Sequence, residues 1–236
     1  DLQTIYQNLQ IQDMNQMQKT TYKATEDNKD VILLSPTGSG KTLGFLFPIL
    51  RNLNSRTNGI QAIIIVPSRE LALQIEQVFK SMGTDHKVTF CYGGHDKKIE
   101  VNNLIQAPAL LIGTPGRIAY HLKNDNFDPT TIETMVLDEF DKSLEFGFHE
   151  DMSFIINEMP NLKQRMLTSA TAMPEIPEFT GITRPEKVDF LKVLEIKPDF
   201  QLKKVITTSE EKLETLFNLL CKIGNKRTLI FCNHRD

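Results

Sequence analysis

Short apolar runs recur along the chain at Val31–Leu34, Ile60–Val66, Lys87–Tyr92, Ala109–Ile112, Thr134–Leu137, Arg165–Thr168 and Val188–Leu191. Several are apolar throughout, the pattern of strands covered on both faces. Helical spacing fills the intervals between them. The clearest case puts Leu71, Ile75, Val78, Phe79 and Met82 on one face of a helix. Alternation of this kind predicts an α/β domain built on a mainly parallel sheet flanked by helices.

The pattern breaks after Leu191. The stretch Glu195–Phe200 carries Pro198 and several charges and reads as a linker. A strand-like run, Lys204–Thr208, follows, then a helix with Leu213, Leu216, Phe217 and Leu220 on one face, then an apolar strand, Thr228–Cys232. The expected organisation is a domain over residues 1–194, a linker over 195–203 and the beginning of a second α/β unit over 204–236. So short a stretch is too small to build an ordinary domain alone.

Charge narrows the choice of partners. A formal net charge of −3 over 236 residues excludes wholesale coating of nucleic acid, so any such surface must be local. Cys91, Cys221 and Cys232 are spaced neither as a zinc site nor as a redox pair, which suggests reduced intracellular thiols. The first thirty residues are polar and Gln-rich, unlike a secretory leader. No apolar run approaches the ~18 residues of a membrane span. A cytoplasmic protein with no membrane contact is expected.

The strongest chemical signal is Ser35-Pro36-Thr37-Gly38-Ser39-Gly40-Lys41-Thr42. It follows an apolar strand and precedes a helix, the context a phosphate-binding P-loop requires. Gly38 and Gly40 let backbone N–H groups turn toward phosphate oxygens, and the helix N-terminus favours an anion. In that chemistry Ser35, Thr37, Ser39 and Gly40 line the nucleotide, Lys41 contacts the β- and γ-phosphates and the Thr42 hydroxyl ligates Mg²⁺. Ser35 stands where the general GxxxxGKT pattern has its first glycine. Pro48 is expected to weaken or kink the helix that follows.

A P-loop needs an acid at the end of a second strand. Thr134–Leu137 runs directly into Asp138-Glu139-Phe140-Asp141. Asp138 would support Mg²⁺ and Glu139 would orient and polarise the attacking water. Taken alone, the tetrapeptide is equally an acidic first turn of a helix.

Together these segments resemble the DEAD-box RNA helicases. SPTGSGKT resembles that family's P-loop, and Asp138–Asp141 reads DEFD where the family usually has DEAD. Pro67-Ser68-Arg69-Glu70-Leu71-Ala72 resembles PTRELA, and Gly93-Gly94 resembles the GG element. Thr114-Pro115-Gly116-Arg117 resembles TPGR, Ser169-Ala170-Thr171 matches SAT, and Leu229–Asn233 resembles the strand opening the second domain's motifs. TPGR alone is also a Pro-Gly turn and SAT alone a helix cap; their joint order over nearly the whole chain carries the resemblance. Asn15-Gln16-Met17-Gln18 takes the place of the adenine-reading Q motif, with Asn15 where the family has Thr. A Gln18 amide can match both the donor and the acceptor on one edge of adenine. The aromatic residue that the family packs on adenine would fall at or before Asp1, and Tyr6 does not match its spacing.

The resemblance implies two RecA-like domains that close on ATP, Mg²⁺ and single-stranded RNA and locally part a duplex. It makes Arg69, Gly94, Thr114 and Arg117 candidate RNA-backbone contacts. It makes Ser169 and Thr171, bonded to the acidic motif at Asp141, the link between hydrolysis and domain closure. The later motifs, with their arginine fingers, belong to a C-terminal RecA-like domain absent from this sequence. The expected function is an ATP-dependent RNA helicase and ATP hydrolase. The alternative is a non-catalytic ATP- or RNA-binding module that needs a partner domain.

Overall fold

The computed structural model describes residues 2–173, 175–192, 201 and 203–232. Among the described residues seven strands form one all-parallel sheet: β1 (Val31–Leu34), β2 (Ala62–Ile65), β3 (Val88–Cys91), β4 (Leu110–Gly113), β5 (Thr134–Leu137), β6 (Gln164–Ser169) and β7 (Glu186–Asp189). Their order across the sheet is β3-β4-β2-β5-β6-β1-β7. Each apolar run of the first 191 residues becomes a strand. The last is shifted toward the N-terminus, because Glu186 to Asp189 are the residues in register with β1.

The helices that accompany the sheet are α1 (Leu2–Asn8), α2 (Gln16–Ala24), α3 (Lys41–Asn52), α4 (Arg69–Met82), α5 (Lys97–Ile105), α6 (Pro115–Lys123), α7 (Phe140–Glu145) and α8 (His149–Asn157). Successive side chains of a strand point to opposite faces, so each apolar run feeds two cores. Val31, Leu33, Ile64, Ile112 and Val136 pack with Met17, Phe45, Ile49, Ile75 and Phe79 of α2, α3 and α4. Ile32, Leu34, Ile63, Ile65, Leu111 and Leu137 pack with Ile118, Phe140, Met152 and Ile155 of α6, α7 and α8. Tyr6 is buried in the first core, edge-on to Phe47 at 5.8 Å.

Local signals set the helix ends. Ser68 caps α4 by accepting from the Leu71 N–H at 3.2 Å, and Gly83 closes it at φ +65°. Helix α3 runs without interruption through Pro48. Its surroundings, Phe45, Leu46, Phe47 and Ile49, are all essentially inaccessible, and this packing outweighs the hydrogen bond that the proline withholds.

The chain divides into two compact units, Asp1–Glu195 and Ile196–Asp236. In the second unit the apolar helix is present as α9 (Lys212–Ile223). The stretches 204–208 and 228–232, expected as strands, are not strands. A strand exists only beside a partner, and neither stretch has one among the described residues. The linker expected over 195–203 lies outside the described residues apart from Gln201 and Lys203. Among the described residues no helix is long and apolar enough to cross a membrane.

The β4 end is packed to its limit. A Cβ on Gly113 would lie 2.4 Å from the Cys91 carbonyl oxygen and 2.7 Å from Ile118 Cδ1. Gly113→Ala is therefore expected to destabilise the first unit by about 1–3 kcal/mol, read as a lowered urea midpoint with unchanged slope.

Candidate functional site

Parallel strands bring their carboxyl ends to one side of the sheet, and the order β5-β6-β1 sets the acidic strand, its neighbour and the phosphate-loop strand side by side. The loop leaves β1 at Ser35, whose N–H donates to the Ser169 carbonyl at 3.1 Å. Ser35 is fully buried and its Oγ donates to Ser39 Oγ at 2.7 Å, closing the loop across its base. Ser35 does not have positive φ, so the backbone there needs no glycine. Gly38 and Gly40 do, at φ +80° and +87°. A Cβ on Gly38 would meet nothing within 4 Å, so the loop crest faces open space. Thr37 is exposed there, and Thr42 follows Lys41 in the first turn of α3.

Lys41 is buried, and its Nζ donates to the Ser35 carbonyl. Burial draws its pKa below the usual lysine value, while the carboxylates of Asp138, Glu139 and Asp141 act in the opposite direction. One cation thus faces three acids across the end of β6.

Asp138 continues β5, anchored by its N–H to the Ile65 carbonyl at 2.9 Å, and is almost fully buried. Its Oδ1 accepts from the Thr168 hydroxyl and from the Glu139 N–H, the latter at 3.1 Å. Burial pushes its pKa up to about 6, and the Thr168 bond and the Lys41 charge offset that only in part. Glu139 sits in the left-handed region at φ +47°, ψ +50°, uncommon for a residue with a Cβ. Its N–H also donates to Thr168 Oγ1 at 3.1 Å. Thr171 Oγ1 donates to Asp141 Oδ2 at 2.9 Å, and Asp141 Oδ1 is buried with no partner among the described residues. Ser169 reaches Thr171 and not the acidic motif: its Oγ donates to the Thr171 carbonyl at 2.8 Å. The hydroxyl that meets Asp138 belongs to Thr168, which sequence reasoning passed over. The sequence carries no signal for it, because Ser169 offers a second hydroxyl at the end of the same run.

Helix α2 covers the loop from the other side. Asn15 and Gln18 form a reciprocal cap: Asn15 Oδ1 accepts from the Gln18 N–H and Gln18 Oε1 from the Asn15 N–H, each at 2.9 Å. The same side chains donate into the phosphate loop, Asn15 Nδ2 to the Ser39 carbonyl at 3.0 Å and Gln18 Nε2 to the Gly40 carbonyl at 3.2 Å. The Gln18 amide keeps one donor and one acceptor position beyond these bonds. Arg51 fastens the far end of α2 through the Tyr22 and Thr25 carbonyls at 2.9 and 3.0 Å.

The other predicted residues gather at the ends of β2, β3 and β4. Arg69 is exposed at the start of α4, its guanidinium 5.6 Å from the Tyr92 ring centre. Gly94, at φ +85°, lies against it: a Cβ there would be 2.7 Å from Arg69 Nη1. Thr114 stands at the N-cap position of α6 without a side-chain capping bond, its N–H on the Cys91 carbonyl at 3.1 Å. Arg117 departs from this group. Its Nη1 donates to the His95 carbonyl at 3.2 Å and to Glu100 Oε2 at 3.0 Å, and the side chain is 11% exposed. Held in this way it braces the Gly93-Gly94 turn from behind instead of offering a free guanidinium. Glu100 had no sequence signal, because it sits in the polar run of α5.

The donors fit a magnesium-bound nucleotide triphosphate. An open, glycine-bent loop, a buried lysine, a buried carboxylate with a raised pKa and an Asp141 oxygen with no partner among the described residues converge at one place. Asp138→Asn removes the charge that burial penalises and is expected to stabilise the nucleotide-free protein at neutral pH. The sign follows from the raised pKa: ionisation costs nothing below the ordinary value of 3.8 and its full amount above about 6. The stability gap between variant and wild type should therefore open as pH rises through that window, toward an upper limit on the order of 3 kcal/mol. Parallel thermal melts from pH 4 to 8 would read it, and a gap independent of pH would contradict it.

A sequence profile of DEAD/DEAH box helicases matches residues 15–179. The ATP-dependent RNA helicase CshA of Limosilactobacillus reuteri is 42% identical over 162 residues, covering 68% of this chain and 33% of that protein. The ATP-dependent RNA helicase HAS1 of Phaeosphaeria nodorum is 34% identical over 235 residues, covering 93% and 38%. The chain thus spans about a third to two fifths of the length of these relatives. Among solved structures, a hypothetical ATP-dependent RNA helicase from Sulfolobus tokodaii superposes with a TM-score of 0.70 at 29% identity, over 79% of this chain and 56% of that one. DEAD-box helicase Mss116, bound to single-stranded RNA and UDP-BeF, gives 0.69 at 27% identity, over 78% and 41%. The sheet is the RecA-like domain of these proteins. With a profile matching well over half its length and its motifs gathered at one edge of that sheet, the chain belongs to the DEAD/DEAH box helicase family.

Proposed function

We propose that this chain is the ATP-binding part of an ATP-dependent RNA helicase of the DEAD-box type. The observation that carries the reading is the convergence of Lys41, Asp138 and Glu139 around the end of β6. The Ser35–Thr42 backbone and Lys41 hold the phosphates. Thr42 and Asp138 hold Mg²⁺, which when bound neutralises charge on the phosphate oxygens. Glu139 orients the attacking water, its backbone fixed by Thr168 and Asp138. Gln18 uses its remaining donor and acceptor on adenine. Thr171 on Asp141 links the acidic motif to the segment beyond β6.

The RNA backbone lies along Arg69, Gly94 and Thr114, where an exposed guanidinium and a residue without a side chain permit close approach. Arg117 shapes that surface from behind. We read residues 204–236 as the opening of a second RecA-like domain, with RNA-driven hydrolysis and unwinding belonging to both domains together. The similarity to CshA and HAS1, which are named as ATP-dependent RNA helicases, supports this reading.

Lys41→Ala is expected to abolish ATP binding. Glu139→Gln is expected to bind ATP normally and to slow single-turnover hydrolysis in the two-domain protein by several hundredfold or more, the scale set by removing a general base. Normal hydrolysis by Glu139→Gln would remove the water-orienting role. For the base, wild type should prefer ATP to GTP, and Gln18→Ala should reduce that preference about tenfold or more. Because Gln18 also caps α2, the ratio of the two affinities is the quantity to compare. Equal binding of ATP and GTP by wild type would exclude base reading.

A further inference from the structure

Glu100 is a fully buried acid with no part in the nucleotide chemistry. It lies on α5 between two segments of the RNA-facing edge, and both of its oxygens are used twice. Oε1 accepts the Tyr92 N–H at 3.0 Å and lies 3.3 Å from His95 Nδ1. Oε2 accepts Arg117 Nη1 at 3.0 Å and lies 2.7 Å from His121 Nε2. Tyr92 and His95 bracket the Gly93-Gly94 turn, whereas Arg117 and His121 stand on α6, which begins directly after Thr114. One carboxylate therefore joins the turn to the helix. Arg117 closes the loop by donating also to the His95 carbonyl at 3.2 Å.

The hydrogen-bond chain continues beyond Glu100. Asn126 Nδ2 lies 3.0 Å from His121 Nδ1 on the far side of the ring. Glu100 only accepts, so His121 donates to it from Nε2. Burial raises the Glu100 pKa, but the bonds from His121 and the Tyr92 N–H and the Arg117 charge outweigh it and hold the carboxyl below its usual range. The acid is ionised and saturated with donors.

A metal centre is the rival assignment, since ligand atoms of Cys91, Glu100 and His121 lie within 4.8 Å of one another. Two features oppose it. Arg117 already supplies the positive charge at Glu100, and burial pushes the Cys91 thiol far above its ordinary pKa, away from the thiolate a metal needs.

We propose that Glu100 is a positioning residue for RNA binding, a buried latch that holds the Tyr92–His95 turn against α6. It thereby sets Gly94, with Arg69 packed against it, at a fixed spacing from Thr114. The inference rests on the reading of that edge as the RNA surface. A glutamine cannot replace the acid. Its amide nitrogen would face either the Tyr92 N–H or the Arg117 and His121 donors, so one end of the latch must open.

The test measures binding of fluorescent single-stranded oligouridylate with a non-hydrolysable ATP analogue present, over a salt series. Nucleotide affinity and thermal melting are measured in parallel. Wild type, Arg69→Ala, Glu100→Gln and the charge-retaining but shorter Glu100→Asp are compared. Glu100→Gln is expected to weaken RNA binding roughly tenfold, with a salt slope shallower by about 0.7 for each phosphate that is no longer neutralised, while nucleotide affinity stays within about twofold. Glu100→Asp should weaken it less. Unchanged RNA binding by a folded Glu100→Gln, beside weakened binding by Arg69→Ala, overturns the latch and keeps the RNA surface. No RNA binding by wild type, or no effect of Arg69→Ala, overturns both. Parallel loss of nucleotide binding and cooperative melting in both Glu100 variants makes Glu100 a general core residue and also overturns the proposal. So does stoichiometric zinc uptake by wild type that Cys91→Ser abolishes.

Discussion

The phosphate loop and the acidic motif lie on strands that do not pair, and β6 between them holds both. Two consecutive residues of β6 do this in different ways. Thr168 presents its hydroxyl to Asp138 and the Glu139 N–H, and Ser169 presents its backbone carbonyl to the Ser35 N–H. The arrangement depends on register: Leu34 stands opposite Ser169 and Leu137 opposite Leu167. A slip of one residue would turn Thr168 to the other face and leave Asp138 buried with a single backbone donor. The two cores on either side of the sheet prevent that slip, because alternate residues of each run are committed to opposite faces.

This commitment also accounts for the backbone at Glu139. Asp138 on one side is fixed by the sheet, and Phe140 on the other is fully buried among Leu137, Met152 and Ile155. The chain must change from strand to helix in one residue, and Glu139 takes the left-handed conformation to do so, a strain of order 1–3 kcal/mol. The Phe140 ring, where the family usually has alanine, extends the core toward Phe179, its centroid 6.2 Å away. It joins the acidic motif to the segment beyond Thr171, beside the Thr171–Asp141 hydrogen bond. A large residue here is thus tolerated because it has a core to enter.

The fold was legible where burial left a periodic mark. Continuous runs such as Ile60–Val66 could hardly be anything but strands between two helix layers, and the 3.6-residue stripe of α4 reappears as buried Ile75, Phe79 and Met82. The phosphate loop was legible because glycine at Gly38 and Gly40 reports positive φ directly. Pairwise chemistry was not. Nothing in the order of residues says that Thr168, and not Ser169, meets the acid, since that depends on the register of β6 against β5. Arg117 read as an RNA-backbone contact because its partner, Glu100, hides in a helix of mixed polar residues. The strands expected at 204–208 and 228–232 failed for a different reason: apolar composition marks capacity to pair, and pairing needs a neighbour that sequence cannot supply.

Asp138 and Glu100 show how the structure separates acids that a sequence treats alike. Both side chains are shielded from solvent, though Asp138 is surrounded by more protein than Glu100. Asp138 receives one hydroxyl and one backbone N–H, with the Lys41 charge acting on it without a direct bond, and burial wins: its pKa rises to about 6. Glu100 receives a guanidinium, a histidine N–H and a backbone N–H, and the donors win: its pKa falls. A buried carboxylate left short of positive charge is a place where a cation gains by binding, and a saturated one is a place where a cation would have to displace an arginine. By this measure Asp138 suits a cation-binding position, as proposed for Mg²⁺, whereas Glu100 suits a structural tie between α5, α6 and the Gly93-Gly94 turn.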